Sequence, residues 1–310
     1  MPKVTDITSQ AEPAPATGQG WASRAGATLE PDTWAECVGQ LLSSGSEDAL
    51  YRGHTAFEWE LVSSLERVLE DHALRWDADR FLTMQSMVED DDLVRWTQDV
   101  ETALARQFKH KAAHLDVANL PQDWDILGWW EVMQHHGAPT RLLDWTSSPF
   151  IALWFAADDH RDGDGDMALW IYDRRTARVN LQDVMRRLRD SEDYEHVDDR
   201  RVQNRLLELA LDSGTDLLIP IRPRQFQRAI AQQSILTVSP NISVAHPASP
   251  WVKRRLATCV RIKEEWKPEI LAACQTMGIS RFNLFRDLDS LGSSVKESFM
   301  SGGNQVPDLI

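Results

Sequence analysis

The spacing of apolar positions divides the chain into helices and strands that alternate without a regular period. A first helix is predicted with Asp32 or Thr33 as its cap, carrying Trp34, Val38, Leu41 and Leu42 on one face and ended by Ser43-Ser44-Gly45. Ala49 to Gly53 reads as a short strand. Between about residues 76 and 136 the pattern turns helical: Phe81, Met84, Met87, Val88, Trp96, Val100, Leu104 and Phe108 recur mostly at three- and four-residue steps. A further helix, about Trp124 to His136, should stop at Gly137, a residue free to take the left-handed conformation that closes a helix. This stretch is predicted to be a helical insert or subdomain.

Thr140 to Trp145 is short and strand-like. Ser147-Ser148-Pro149 then supplies a hydroxyl cap and a proline at the first helical position, starting a helix to Ala157. That helix is apolar nearly all round, which predicts burial. Strands are predicted at 167–172, 217–221, 235–238 and 257–262, and helices at 180–190, 200–212, 267–277 and 286–299. Strands mixed irregularly with helices predict an α+β fold with a mixed β-sheet core, not a repeating βαβ sheet. Residues 1–28, small and proline-broken, read as a disordered leader, and 299–310 as a flexible tail.

Composition narrows the picture. At 310 residues the chain is long enough to fill a core without disulfide staples. Thirteen Trp against three Tyr, many of them between residues 50 and 175 (Trp59, Trp96, Trp124, Trp129, Trp130, Trp145, Trp154 and Trp170), predict an indole-rich core. Cys37, Cys259 and Cys274 are widely spaced and odd in number, against a disulfide framework or a zinc site. Apolar runs stay well below the roughly 18 residues of a membrane helix, and the N-terminus has no apolar signal core. These features predict a cytoplasmic protein with no membrane contact. A formal charge of -15 disfavours a general nucleic-acid coat, although Arg222, Arg224 and Arg228 leave room for a local basic cleft.

Candidate chemistry concentrates in Gln134-His-His-Gly-Ala-Pro-Thr-Arg-Leu-Leu-Asp-Trp-Thr-Ser-Ser-Pro149. A segment that only packs would be apolar, whereas this one gathers an amide, two imidazoles, a guanidinium, a carboxylate and hydroxyls. Arg141 and Asp144 are close enough to order the loop as an ion pair. The segment is either part of a reactive site or a polar network fixing a fold junction. Asp162 to Asp166 lacks the glycine an EF-hand turn needs after its third aspartate and reads as a solvated acidic turn. His135-His136 has no partners at metal spacing, so no metal is expected.

These residues carry a resemblance. Tyr51-Arg52-Gly53, the run Leu61-Val-Ser-Ser-Leu-Glu-Arg67, and Gln134 through Ala156 resemble the successive motifs of the FRG domain family. Arg228-Ala-Ile-Ala-Gln232-Gln233 resembles its late Arg-x-x-x-Gln motif, and Leu284 to Leu291 its terminal motif. Val62 and Arg286 stand where the family has proline. The resemblance runs from about residue 32 to 295 and implies one FRG domain over 29–298, helical insert included.

More distantly, the order of elements resembles the arginine-class ADP-ribosyltransferases. Those carry an arginine on the first core strand, a hydroxyl-rich strand backed by a buried helix, and a late strand bearing a glutamate. Here Arg52, Trp145-Thr146-Ser147 with helix 149–157, and Gln232-Gln233 hold those places. The likeness implies an enzyme that transfers ADP-ribose from NAD, its substrate, to a macromolecular acceptor (protein or nucleic acid). It also implies a toxin or phage-defence setting with an antitoxin or defence partner. Arg52, Asp144, Thr146 and Gln232 would then be catalytic. Tyr51, Arg52, Gly53, His136, Thr140, Arg141, Trp145, Ser147 and Gln233 would bind NAD. Because glutamine replaces the expected glutamate, Asp144 becomes the first choice for the missing acid. A non-catalytic nucleotide-binding or protein-interaction module, and a hydrolase using His136 with Asp144, are the alternatives.

Overall fold

The computed structural model describes residues 28–43, 48–59, 61–69, 91–161, 163–174, 200–213, 219–221, 223, 227–238 and 257–301. Its described strands build one seven-stranded sheet, in the order β1-β7-β4-β2-β3-β6-β5. They are β1 (Thr28–Leu29), β2 (Ala49–His54), β3 (Leu142–Thr146), β4 (Met167–Asp173), β5 (Ile219–Ile221), β6 (Ser234–Val238) and β7 (Ala257–Ile262). Among these strands β1 and β7 pair in parallel, and the other neighbours are antiparallel. The fold is α+β with a mixed sheet.

Every residue of β4 is buried, because helices cover both faces of the sheet. On one face Leu50, Ala168, Trp170 and Tyr172 pack with Leu127, Trp130, Met133 and Leu207. These last come from α3 (Ile126–His135) and α5 (Arg200–Ser213), with α2 (Asp91–Ala112) lying against α3. On the opposite face Tyr51, Met167, Leu169 and Ile171 pack with Cys37, Leu41, Leu153, Trp154, Ile270 and Cys274. Those residues come from α1 (Trp34–Ser43), α4 (Pro149–Asp158) and α7 (Lys267–Thr276). The short helices α6 (Gln227–Ala231) and α8 (Arg281–Phe285) and the longer α9 (Leu288–Ser301) follow in the later part of the chain.

Several local expectations are met for their stated reasons. Ser148 Oγ accepts a hydrogen bond from Ile151 N–H at 3.3 Å at the start of α4, with Pro149 in its first turn. Gly137 takes φ 76° just past α3, and Ala138 N–H donates back to Met133 O at 2.8 Å. Others are corrected. The helical stripe places Leu42 on the buried side of α1, but it is 67% exposed, and Cys37 shares the buried side with Leu41 instead. Thr28 belongs to an edge strand, not the leader. Trp129, Trp130, Trp145, Trp154 and Trp170 are core, whereas Trp59 and Trp124 are exposed. The final helix begins at Leu288, two residues later than expected: Arg286 is left-handed (φ 55°) and Asp287 Oδ1 caps Ser290 N–H at 2.7 Å. The helix at 180–190, residues 76–90 of the insert, nearly all of the leader and most of the tail lie outside the described residues.

Candidate functional site

The sheet opens along its middle. β2 pairs with β4 along its whole length, from Ala49↔Asp173 to His54↔Ala168, but with β3 only at Tyr51↔Thr146. Beyond that bridge the two strands diverge, and the gap is a cavity of about 820 Å³. Its walls come from β2 (Tyr51 to His54), β3 (Asp144 to Thr146), β6 (Ser234, Leu236), α4 (Ala152, Phe155) and α6 with the residue after it (Arg228, Gln232). Arg52, Asp144, Thr146 and Gln232 therefore share one cleft although up to 180 residues separate them. Tyr51, Gly53 and Trp145 line it as well.

Arg52 is oriented from both ends of its guanidinium. Its Nε donates to His54 Nε2 at 3.0 Å and its Nη1 to the carbonyl of Asp144 at 2.7 Å. Because an arginine Nε only donates, His54 Nε2 must be unprotonated, and its Nδ1–H therefore donates to Trp59 O at 3.3 Å. Burial lowers the His54 pKa to about 3, helped by the charges of Arg52 and Arg67, so the ring stays neutral at physiological pH. Burial also lowers Arg52 from its usual value; Asp144 opposes that shift and Arg67 adds to it.

Arg67 and Arg228 line the same cleft. Ser63 and Glu66 form a reciprocal capping box that starts a helical turn at 64–69, the turn that carries Arg67. Arg228, on α6, lies over the ring of Phe285 at 4.3 Å. Burial lowers it as well, against the opposing charges of Asp144 and Asp287. Among the described residues none of Arg52, Arg67 and Arg228 forms a side-chain ion pair. An acidic chain thus brings three cations together in one cavity without neutralising them there by ion pairs among the described residues, an arrangement suited to a polyanion.

Asp144 is exposed to the cleft, and its Oδ2 accepts from Gln134 Nε2 at 2.6 Å. Thr140 Oγ1 in turn donates to Gln134 Oε1 at 2.7 Å, so Thr140 is buried and supports the site through Gln134 without lining it. Glu131 also reaches the cleft, but its carboxylate is held by Arg200 Nη2 at 2.7 and 2.8 Å. Gln232 sits where the chain turns from α6 into β6, a turn that forces Gln233 to φ 48°. Its Nε2 is buried with no hydrogen-bond partner among the described residues, a donor whose desolvation goes uncompensated until an acceptor arrives.

The structure places other expected residues elsewhere. Arg141 does not pair with Asp144: it is 1% exposed and makes a bidentate ion pair with Glu101 on α2, its Nε donating to Oε1 at 2.8 Å. Its guanidinium also lies 5.1 Å from the centre of the Trp130 ring. His135, not His136, lines the cleft. His135 is the last residue of α3, whereas His136 is its C-cap, where the backbone leaves the helix (φ -99°, ψ 18°). Ser147 Oγ donates to Gln233 Oε1 at 2.9 Å, outside the lining residues. Asp166, of the acidic turn, pairs with Arg261 at 2.7 Å. Sequence reasoning misses His54, Glu58, Trp59, Arg67, His135 and Arg228 as site residues; for Arg67 and Arg228 the signal is there, an arginine inside each quoted motif.

Gly53 lines the cleft, but its lack of a side chain has a structural cause. A Cβ there would lie 1.9 Å from Ala152 O and 2.8 Å from Ala156 N, both backbone atoms of α4. Gly53→Ala should therefore destabilise the fold by about 1–3 kcal/mol through overpacking. Thermal melting checks this, and an unchanged melting temperature would mean α4 can retreat freely.

Among the described residues no cluster of His, Cys, Asp or Glu is placed to hold a metal ion, and no helix is long and apolar enough to cross a membrane. Fold and site define an α+β protein whose sheet opens along its middle into an arginine-lined cleft. Residues 47–165 match the family model of the FRG domain. The match includes Arg52, Arg67 and Asp144, while Arg228 and Gln232 lie beyond it. No curated protein and no solved structure matches the chain.

Proposed function

We propose that the cleft binds NAD and transfers its ADP-ribose to a macromolecular acceptor, in a reducing compartment such as the cytoplasm. The observation that carries this reading is a set of three guanidiniums, Arg52, Arg67 and Arg228, around one exposed carboxylate, Asp144, with no ion pair to any of the three among the described residues. The guanidiniums suit a pyrophosphate. A cavity of about 820 Å³ falls in the range of small-molecule and cofactor sites. In the reaction the bond between the nicotinamide nitrogen and ribose C1′ breaks, and its electron pair leaves with nicotinamide. Positive charge develops on the ribose, and a nucleophilic atom of the acceptor bonds to C1′ and gives up its proton. In this reading Asp144 stabilises that charge, and the orphaned Gln232 N–H donates to a ligand oxygen. Three cysteines that are buried and unpaired agree with a reducing compartment.

Titration calorimetry with NAD tests the binding step. Arg52→Ala should weaken NAD binding roughly 10–100-fold, the equivalent of a lost charge-assisted contact, with the fold retained by circular dichroism. Equal affinity in wild type and variant would remove Arg52 from the phosphate site. Two observations favour a binding-only module: Asp144 is already engaged by Gln134, and position 232 carries an amide. That module would bind NAD but release no nicotinamide. The hydrolase alternative has less support, since His136 does not line the cleft with Asp144.

A further inference from the structure

Trp59 stands apart from the indoles of the core. It lines the cleft, yet 59% of it is exposed. Its backbone is nevertheless held firmly: Trp59 N–H donates to Ala56 O at 3.2 Å, and Phe57 N–H donates to Asp166 O at 2.7 Å. Phe57 is further clamped by Arg261, whose guanidinium lies 4.5 Å from the ring centre. The carbonyl of Trp59 receives the Nδ1–H of His54, the same imidazole whose Nε2 accepts from Arg52. The indole meets the edge of that imidazole at 6.4 Å between ring centres. One neutral histidine thus joins a guanidinium in the cleft to an exposed aromatic plate at its wall. An exposed indole is costly to leave in water and well suited to stacking a flat π-system.

We propose that Trp59 is the base platform of the cleft, stacking the adenine ring of a nucleotide whose phosphates lie on Arg52 and Arg67. This rests on the reading of the cleft as an NAD site and adds which half of the ligand the Trp59 wall receives. Flat ring and phosphates occur together in a nucleoside diphosphate. Adenosine diphosphate sets two phosphates beside its ring, one for each of Arg52 and Arg67, whereas nicotinamide mononucleotide carries one, so the arrangement should favour the adenine half.

The test titrates wild type, Trp59→Ala and Trp59→Phe with NAD, ADP and nicotinamide mononucleotide by calorimetry. Wild type should bind NAD and ADP about tenfold or more tighter than nicotinamide mononucleotide, the range of base–aromatic stacking. Trp59→Ala should lose about that factor for NAD and ADP and nothing for nicotinamide mononucleotide, while Trp59→Phe retains most of the binding. If Trp59→Ala binds NAD and ADP as wild type does, the platform is overturned while the NAD reading stands; the indole would then be free for a protein partner. If Trp59→Ala weakens all three ligands equally, Trp59 acts on the phosphate site through His54 and the platform is again overturned. If wild type binds none of the three, the NAD reading and the platform fall together.

Discussion

Asp144→Asn is expected to slow nicotinamide release from NAD by about 100-fold or more while leaving NAD affinity within about threefold. The substitution keeps the shape of the side chain and removes only its charge. The amide introduced there would still offer an oxygen to Gln134 Nε2, and the carbonyl that receives Arg52 Nη1 belongs to the backbone. Binding and orientation should therefore survive, while the carboxylate that stabilises positive charge on the ribose is lost. Nicotinamide measured by liquid chromatography, with and without added protein or nucleic-acid acceptors, reads the effect. Among the described residues the other carboxylates on the cleft wall are Glu58 and Glu131. Glu131 is neutralised by Arg200, which leaves Glu58 as the control. Wild-type release by Asp144→Asn with loss in Glu58→Gln would transfer the acid role to Glu58. No release from wild type under any of these conditions would leave the binding module as the function.

Glu101→Ala should cost about 3–5 kcal/mol of unfolding free energy, measured by urea denaturation. Arg141 is almost fully enclosed and takes a bidentate carboxylate from Glu101, so removing the acid strands a buried cation. The pair ties α2 to the residue just before β3, and β3 carries Asp144 and Thr146. A double variant, Glu101→Leu with Arg141→Met, should recover most of the loss, because a well-packed apolar pair is often as stable as a buried ion pair. A loss below about 1 kcal/mol in Glu101→Ala would show that Arg141 is adequately served by other contacts.

The elements are largely legible from the chain alone because their signals are local. Ser148-Pro149 starts α4 and Gly137 closes α3 through bonds spanning three to five residues. The full burial of β4 follows from an apolar run short enough to be a strand. Motifs holding Arg52, Asp144 and Gln232 stand out as polar islands in apolar surroundings, and the fold brings all three to one cavity. Partnership is another matter. Arg141 and Asp144, three residues apart, look like a pair in the sequence, but the tertiary structure supplies Glu101 to one and Gln134 to the other. His135 and His136 are indistinguishable by composition; the rotation of α3 against the sheet chooses His135. Gly53 enters as an NAD-binding residue through the family likeness, yet what forbids it a side chain is α4, about 100 residues away. Leu42 fits a helical stripe, yet no described element packs there to bury it. Local spacing determined where helices and strands run, because backbone bonds and face periodicity act over a few residues. Only the tertiary structure, through sheet register and helix rotation, decided which side chains meet. Those choices, made across 15 to 176 residues, gathered Arg67 and Arg228 beside Arg52.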